Sequence, residues 1–87
     1  MYIDNTELTI KIESFGAIKL QLPQSLILRC PVNTSVKVVL EMLIELYPQA
    51  SDLIERCACA IEDDLIGRQT KLVNNITLVL LSPVAGG

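Results

Sequence analysis

Residues 34–48 read "TSVKVVLEMLIELYP", Thr34 through Pro48. Val36, Val39, Leu40, Leu43, Leu46 and Tyr47 recur at helical spacing and line one stripe, while Lys37, Glu41 and Glu45 fall largely outside it. Thr34 or Ser35 can accept a hydrogen bond from an orphan N–H at the start. Pro48 cannot continue the hydrogen-bond ladder and stops the helix. No other segment predicts a helix of this length, so the elements on either side of it decide the fold.

Before the helix, "TELTIKIESF" (6–15) alternates, with Leu8, Ile10 and Ile12 on one face and Thr9, Lys11 and Glu13 on the other. That is the period of a half-buried strand. "SLILRCPV" (25–32) predicts a second strand, with Leu26, Leu28 and Cys30 sharing a face. Gly16 and Pro23 punctuate a connection too long for a two-residue turn, which suits a hairpin with an extended loop.

After the helix, "ASDLIER" allows a short helical turn, "CACAI" a short strand and "EDDLI" a turn into a minor strand. "GRQTKLVNN" reads as connection. "ITLVLLS" (76–82) is apolar on both faces, as expected of a central strand covered on one side by the helix and on the other by a partner. The order β-β-α-β-β with one dominant helix predicts an α+β fold: a ubiquitin-like β-grasp, a mixed sheet of four to five strands packed on one main helix. A ferredoxin-like fold would need a second long helix. The expected organisation is one domain over residues 1–87, with a flexible C-terminal tail at 83–87.

Leu, Ile and Val supply 31 of the 87 residues, and charged residues only 20%. A domain this small cannot bury all that aliphatic surface, so exposed apolar surface of the kind that marks partner interfaces is expected. The net charge is −3 and the seven basic residues are scattered, which disfavours nucleic acid as a partner. No apolar stretch reaches about 18 residues and the N-terminus lacks a basic-then-apolar leader pattern, so a cytoplasmic protein without a membrane role is expected.

Histidine is absent, which removes the Ser/His/Asp and Cys/His nucleophile arrangements. Glu62, Asp63 and Asp64 form an acidic run better read as a solvated turn than as a cation site, since no further oxygen ligands surround it in sequence. Three cysteines, with Cys57 and Cys59 two apart, do not make a secreted disulfide framework, and two thiolates are too few for structural zinc. They read as reduced, buried, small apolar residues, and no metal site is expected.

The last stretch, "LSPVAGG" (81–87), follows directly on the final strand. Pro83 removes a donor and stops strand pairing, while two glycines without Cβ atoms add almost no width. An extended Val84-Ala85-Gly86-Gly87 can therefore thread a tunnel to a partner's active site. The reacting group would be the α-carboxylate of Gly87, a poor electrophile that another protein must activate, with adenylation the obvious route.

This ending resembles the "PPVAGG" type found in the ubiquitin-like sulfur carriers, the family that includes the small subunit of molybdopterin synthase and the thiamine-pathway carrier. The resemblance covers essentially the whole chain: "FGAIKL" after the first strand, the capped helix ending in Tyr-Pro, and "AIEDDLI" with Leu72 before the last strand. Asn74-Asn75-Ile76 stands where that family usually has an Asp-Gly-Asp turn, and Ser82 where its first proline is common.

The resemblance implies a carrier that is not an enzyme on its own and binds no cofactor. Gly87 would be adenylated by an E1-like adenylyltransferase using ATP and Mg²⁺, then converted to a thiocarboxylate by a sulfur-donor protein. The tail would next dock in the large subunit of molybdopterin synthase, in a heterotetramer of two small and two large subunits. There sulfur would pass to cyclic pyranopterin monophosphate. Phe15, Leu65 and Leu81 would contact partners, and Pro83, Val84, Ala85 and Gly86 would guide the reacting Gly87. Two alternatives stand beside this reading: a thiocarboxylate carrier of another pathway (thiamine, cysteine, a siderophore-like thioacid or tRNA thiolation), and a ubiquitin-like modifier or plain interaction domain.

Overall fold

The structure, a computed structural model, describes residues 7–83. Strand β1 (Glu7–Phe15) runs into a 3₁₀ turn (Gly16–Leu20) and returns antiparallel as β2 (Leu26–Pro31). A two-residue strand β3 (Thr34–Ser35) leads into helix α1 (Val36–Leu46), followed by a 3₁₀ turn (Pro48–Ala50) and the short helix α2 (Ser51–Arg56). Strands β4 (Ala58–Ile61), β5 (Asp64–Ile66), β6 (Lys71–Leu72) and β7 (Ile76–Leu81) complete the elements of the described residues.

Five strands form one mixed sheet in the order β2-β1-β7-β4-β5, with β3 and β6 pairing separately. The first and last long strands lie side by side and parallel at the centre, from Ile10 opposite Ile76 to Phe15 opposite Leu81. β4 then pairs antiparallel with β7, and β5 with β4. This is the β-grasp predicted above.

The sheet presents its alternate residues to the helices. Leu8, Ile10 and Ile12 of β1, Leu26, Leu28 and Cys30 of β2, and Leu78 and Leu80 of β7 are buried in one cluster with Val36, Val39, Leu40 and Leu43 of α1. Ile18, Ala50 and Ile54 seal the ends of that cluster from the turns and α2. A core of such aliphatic side chains stabilises each by roughly 1.5 to 3 kcal/mol relative to exposure. The helix cap is the one expected: Ser35 Oγ accepts the Val38 N–H at 3.3 Å.

Three local readings change. Leu46, placed on the buried stripe by its spacing, is 58% exposed. It sits at the flank of the stripe in the last turn of α1, where the chain turns away at Tyr47. The connection after Gly67 contains β6, whose two residues are too few for any period to show. That segment also serves the helix start, its Arg68 and Thr70 carbonyls accepting the Lys37 and Val36 N–H groups at 2.8 and 2.9 Å. Finally, the loop after β1 is a 3₁₀ turn that buries Ile18 completely.

Candidate docking face and tail base

Register partners in a sheet point to the same side, so the strand pairing defines the face turned away from the helices. Phe15 lies opposite Leu81, and Leu81 opposite Ala58. One step along the same face, Glu13 lies opposite Val79, Val79 opposite Ala60, and Ala60 opposite Leu65. Phe15 is 49% and Leu65 71% exposed, large values for side chains of this size, while Val79 and Leu81 are half-buried. The structure thus brings Phe15 and Leu81 into direct register and sets Leu65 two strands away in the neighbouring row.

Val79, Ala58 and Ala60 were missed as members of this face. Their signal was present, since Val79 is two residues from Leu81 and the face alternates with period two. Ala60 is buried yet lies outside the core cluster, under the outer-face neighbours rather than under the helices. A shallow groove extends from this patch, lined among others by Lys11, Glu13, Phe15, Glu62, Asp63 and Val79. Its acidic side chains outnumber its single base. Glu62 and Asp63 form the exposed two-residue turn between β4 and β5, with Glu62 at a positive φ of 56°.

The chain leaves the sheet at the same end. Ser82 and Pro83 follow β7 without regular structure, and Pro83 is exposed. The Ser82 N–H donates to the Phe15 carbonyl at 3.1 Å. The predicted site residues Val84, Ala85, Gly86 and Gly87, and most of the tail expected at 83–87, lie outside the described residues.

The cysteines sit away from this face. Cys30, Cys57 and Cys59 are free and buried. Burial pushes the Cys57 thiol up to about 11, with Cys59 adding to the rise and Arg68 opposing it. Burial likewise raises Cys59, again against Arg68. Both are therefore poor sources of thiolate at neutral pH. Arg68 has a structural role, its guanidinium donating to the Glu55 and Cys57 carbonyls at 2.7 and 2.8 Å at the end of α2. Among the described residues, no three His, Cys, Asp or Glu side chains are placed to hold a metal ion, and no helix is long and apolar enough to cross a membrane.

Solved structures share this architecture. The HVO 2177 protein of Haloferax volcanii superimposes with a TM-score of 0.78 at 22% identity, over 100% of this chain and 93% of its own. A chain from the complex of subunits 1 and 2 of molybdopterin-converting factor of Helicobacter pylori gives 0.65 at 23% identity, covering 92% of this chain and 100% of its own. The ubiquitin of Caldiarchaeum subterraneum gives 0.65 at 16% identity, covering 93% and 99%. At these identities the likeness establishes the ubiquitin-like fold. No curated protein matches the sequence. The sequence model of the ThiS family, however, matches residues 15–87, from the corner at Phe15 through the final Gly-Gly. On that match, which takes in both the sheet's central strand and the tail, the chain belongs to the ThiS family.

Proposed function

We infer that the chain is a sulfur carrier of molybdenum cofactor biosynthesis that works through its terminal carboxylate. The observation that carries this reading is the placement of the "LSPVAGG" base. It leaves the central strand beside an apolar patch in which Phe15 and Leu65 are exposed and Leu81 and Val79 half-buried. A partner seated on that patch receives the tail at a fixed position. Membership of the ThiS family, and likeness to a chain of the Helicobacter pylori converting-factor complex, support this choice.

In this reading an E1-like enzyme joins the Gly87 carboxylate to AMP from ATP, releasing pyrophosphate with Mg²⁺ as counter-ion. A persulfide on a donor protein then displaces AMP to form an acyl disulfide, and a second thiol of the donor attacks its donor-side sulfur, forming a donor disulfide and releasing the Gly87 thiocarboxylate. The large synthase subunit binds the patch and takes the sulfur for cyclic pyranopterin monophosphate. This chain contributes binding and presentation: Phe15, Leu65 and Leu81 dock, and Pro83 through Gly86 lead Gly87 through a narrow opening. Small residues beside the acyl group leave room for the adenylate and its attacker.

The likeness to an archaeal ubiquitin favours one competing reading, a modifier whose Gly87 forms isopeptides with lysines. Mass spectrometry of the protein purified from its host separates the two. A thiocarboxylate adds about 16 Da to the chain, whereas conjugation adds a whole protein. Sulfur transfer to the pterin by the thiocarboxylated chain and a purified large subunit then tests the pathway. A chain that is thiocarboxylated but inert in that assay belongs to another sulfur pathway.

A further inference from the structure

Ser82, the residue after β7, is bonded three ways to one corner of the fold. Its N–H donates to the Phe15 carbonyl at 3.1 Å. Its hydroxyl donates to the same carbonyl at 3.0 Å, and the hydroxyl oxygen accepts the Ile18 N–H at 3.2 Å. The Ile18 N–H belongs to the first turn of the 3₁₀ segment, and Phe15, at the capping position, provides no side-chain cap. Orphan donors of this kind need an outside partner, and Ser82 supplies it from 64 residues away.

The approach is possible only because residue 16 is glycine. Gly16 has φ +87°, and a Cβ there would overlap Ser82 Oγ. The turn itself is anchored, since Ile18 is wholly buried. Ser82 is also restrained from its other side. A residue preceding proline is confined to extended backbone, and Pro83 has its own φ fixed near about −65°.

We propose that Ser82 is a positioning residue whose hydroxyl fixes the direction in which the chain leaves β7 relative to the Phe15 corner of the docking face. The tail base and the face are then presented as one rigid unit, so that less ordering remains to be done on docking. The consequence for docking rests on the carrier reading, while the geometric role does not.

The test compares wild type, S82A and S82T. In the free proteins, amide exchange at Ile18 and Cα–Hα residual dipolar couplings at positions 82 and 83 report the clamp and the exit direction. The Ile18 amide should be protected in wild type and exchange about tenfold faster in S82A, as expected for loss of the hydroxyl's bonds. The couplings should shrink in S82A, and S82T should restore both. With the E1-like enzyme of the same host, pyrophosphate release should show KM for S82A raised about tenfold with kcat within about twofold, and recovery in S82T.

A wild-type Ile18 amide that exchanges like an open one overturns the proposal, as does an S82A protein with wild-type couplings. An S82A protein that no longer melts cooperatively overturns it too, because the hydroxyl would then hold the fold rather than aim the tail. If no variant, wild type included, is adenylated, the carrier reading falls. Exchange and couplings still decide the clamp.

Discussion

Phe15 and Leu81 are register partners at the carboxyl ends of two adjacent parallel strands, with both side chains on the face opposite the helices. The neighbouring positions Ser14 and Leu80 face the other way, and Leu80 is wholly buried. Adjacent residues of β7 therefore make opposite predictions. Leu81→Glu should leave the melting temperature within a few degrees of wild type and weaken binding to both the activating enzyme and the large subunit. Leu80→Ala should instead cost about 2 to 5 kcal/mol of stability. Phe15→Ala should weaken binding without the desolvation cost of a new carboxylate. Calorimetry and partner titration on the same samples check this. Wild-type affinity in a folded Leu81→Glu protein would remove Leu81 from the docking face.

Gly16→Ala is expected to destabilise the fold by about 1 to 3 kcal/mol, because an L side chain resists the positive φ and its Cβ would displace the Ser82 hydroxyl. Gly67 makes the internal control, since a Cβ there meets nothing. Urea unfolding of the two alanine variants should separate them clearly.

The parts of this arrangement that the sequence exposes are those with a period. Leu8, Ile10 and Ile12 alternate over a whole strand, and Val36 to Leu43 repeat over two helical turns, so both elements and their buried faces could be read directly. β6 could not, because Lys71 and Leu72 owe their conformation to pairing with Thr34 and Ser35 rather than to any local pattern. Ser82 was equally silent. Its role depends on a glycine 66 positions earlier and on a turn whose donor it caps, and neither dependence leaves a mark in the residues around it. Leu46 shows the opposite failure: its spacing assigns it to the stripe, yet it lies at the stripe's flank and stays exposed while Tyr47 beside it packs against the core.

Removing the Arg68 side chain should cost about 1 to 3 kcal/mol, since the Glu55 and Cys57 carbonyls lose a charged donor. Arg68→Lys should recover only part of this, because one terminal guanidinium nitrogen meets both carbonyls and a lysine ammonium ends about one bond short of it. The loss should appear first as faster amide exchange in α2 and at the start of β4.

Cys57 and Cys59 make stability depend on pH in the alkaline range. Burial raises the folded-state value of Cys57 from 9.0 to about 11. The unfolded chain therefore releases its proton at lower pH than the folded one. The contribution is present in full below about pH 9 and is lost as pH rises towards 11, so stability should fall across that window. Cys57→Ala/Cys59→Ala should show a shallower fall than wild type, measured as the difference between the two unfolding curves so that lysine and tyrosine titration cancels. Its tail chemistry should be intact, since sulfur is proposed to travel on an acyl group. Loss of transfer when Cys30 is replaced as well, in a folded triple variant, would instead implicate a persulfide.

The terminal carboxylate makes the most direct prediction. Among the described residues, the hydrogen bonds of the tail base are those of Ser82 to Phe15 and Ile18, and the core cluster contains nothing beyond Leu80. Deleting Gly87, or adding one residue after it, should therefore leave circular dichroism and the melting transition unchanged. Chemistry should respond quite differently. Deletion withdraws the reacting acyl group by one residue, about 3.3 to 3.6 Å in an extended chain, when a reacting pair must approach to about 3 to 3.5 Å. Addition moves the carboxylate past the attacking group and puts an unreactive amide in its place. Both variants should lose sulfur transfer while retaining affinity for the large subunit, because the Phe15 and Leu81 patch is untouched. An extended variant, shown by mass to be untrimmed, that still delivers sulfur would refute the carboxylate mechanism. One that loses both transfer and binding would show that the tail, rather than the sheet face, supplies most of the docking energy.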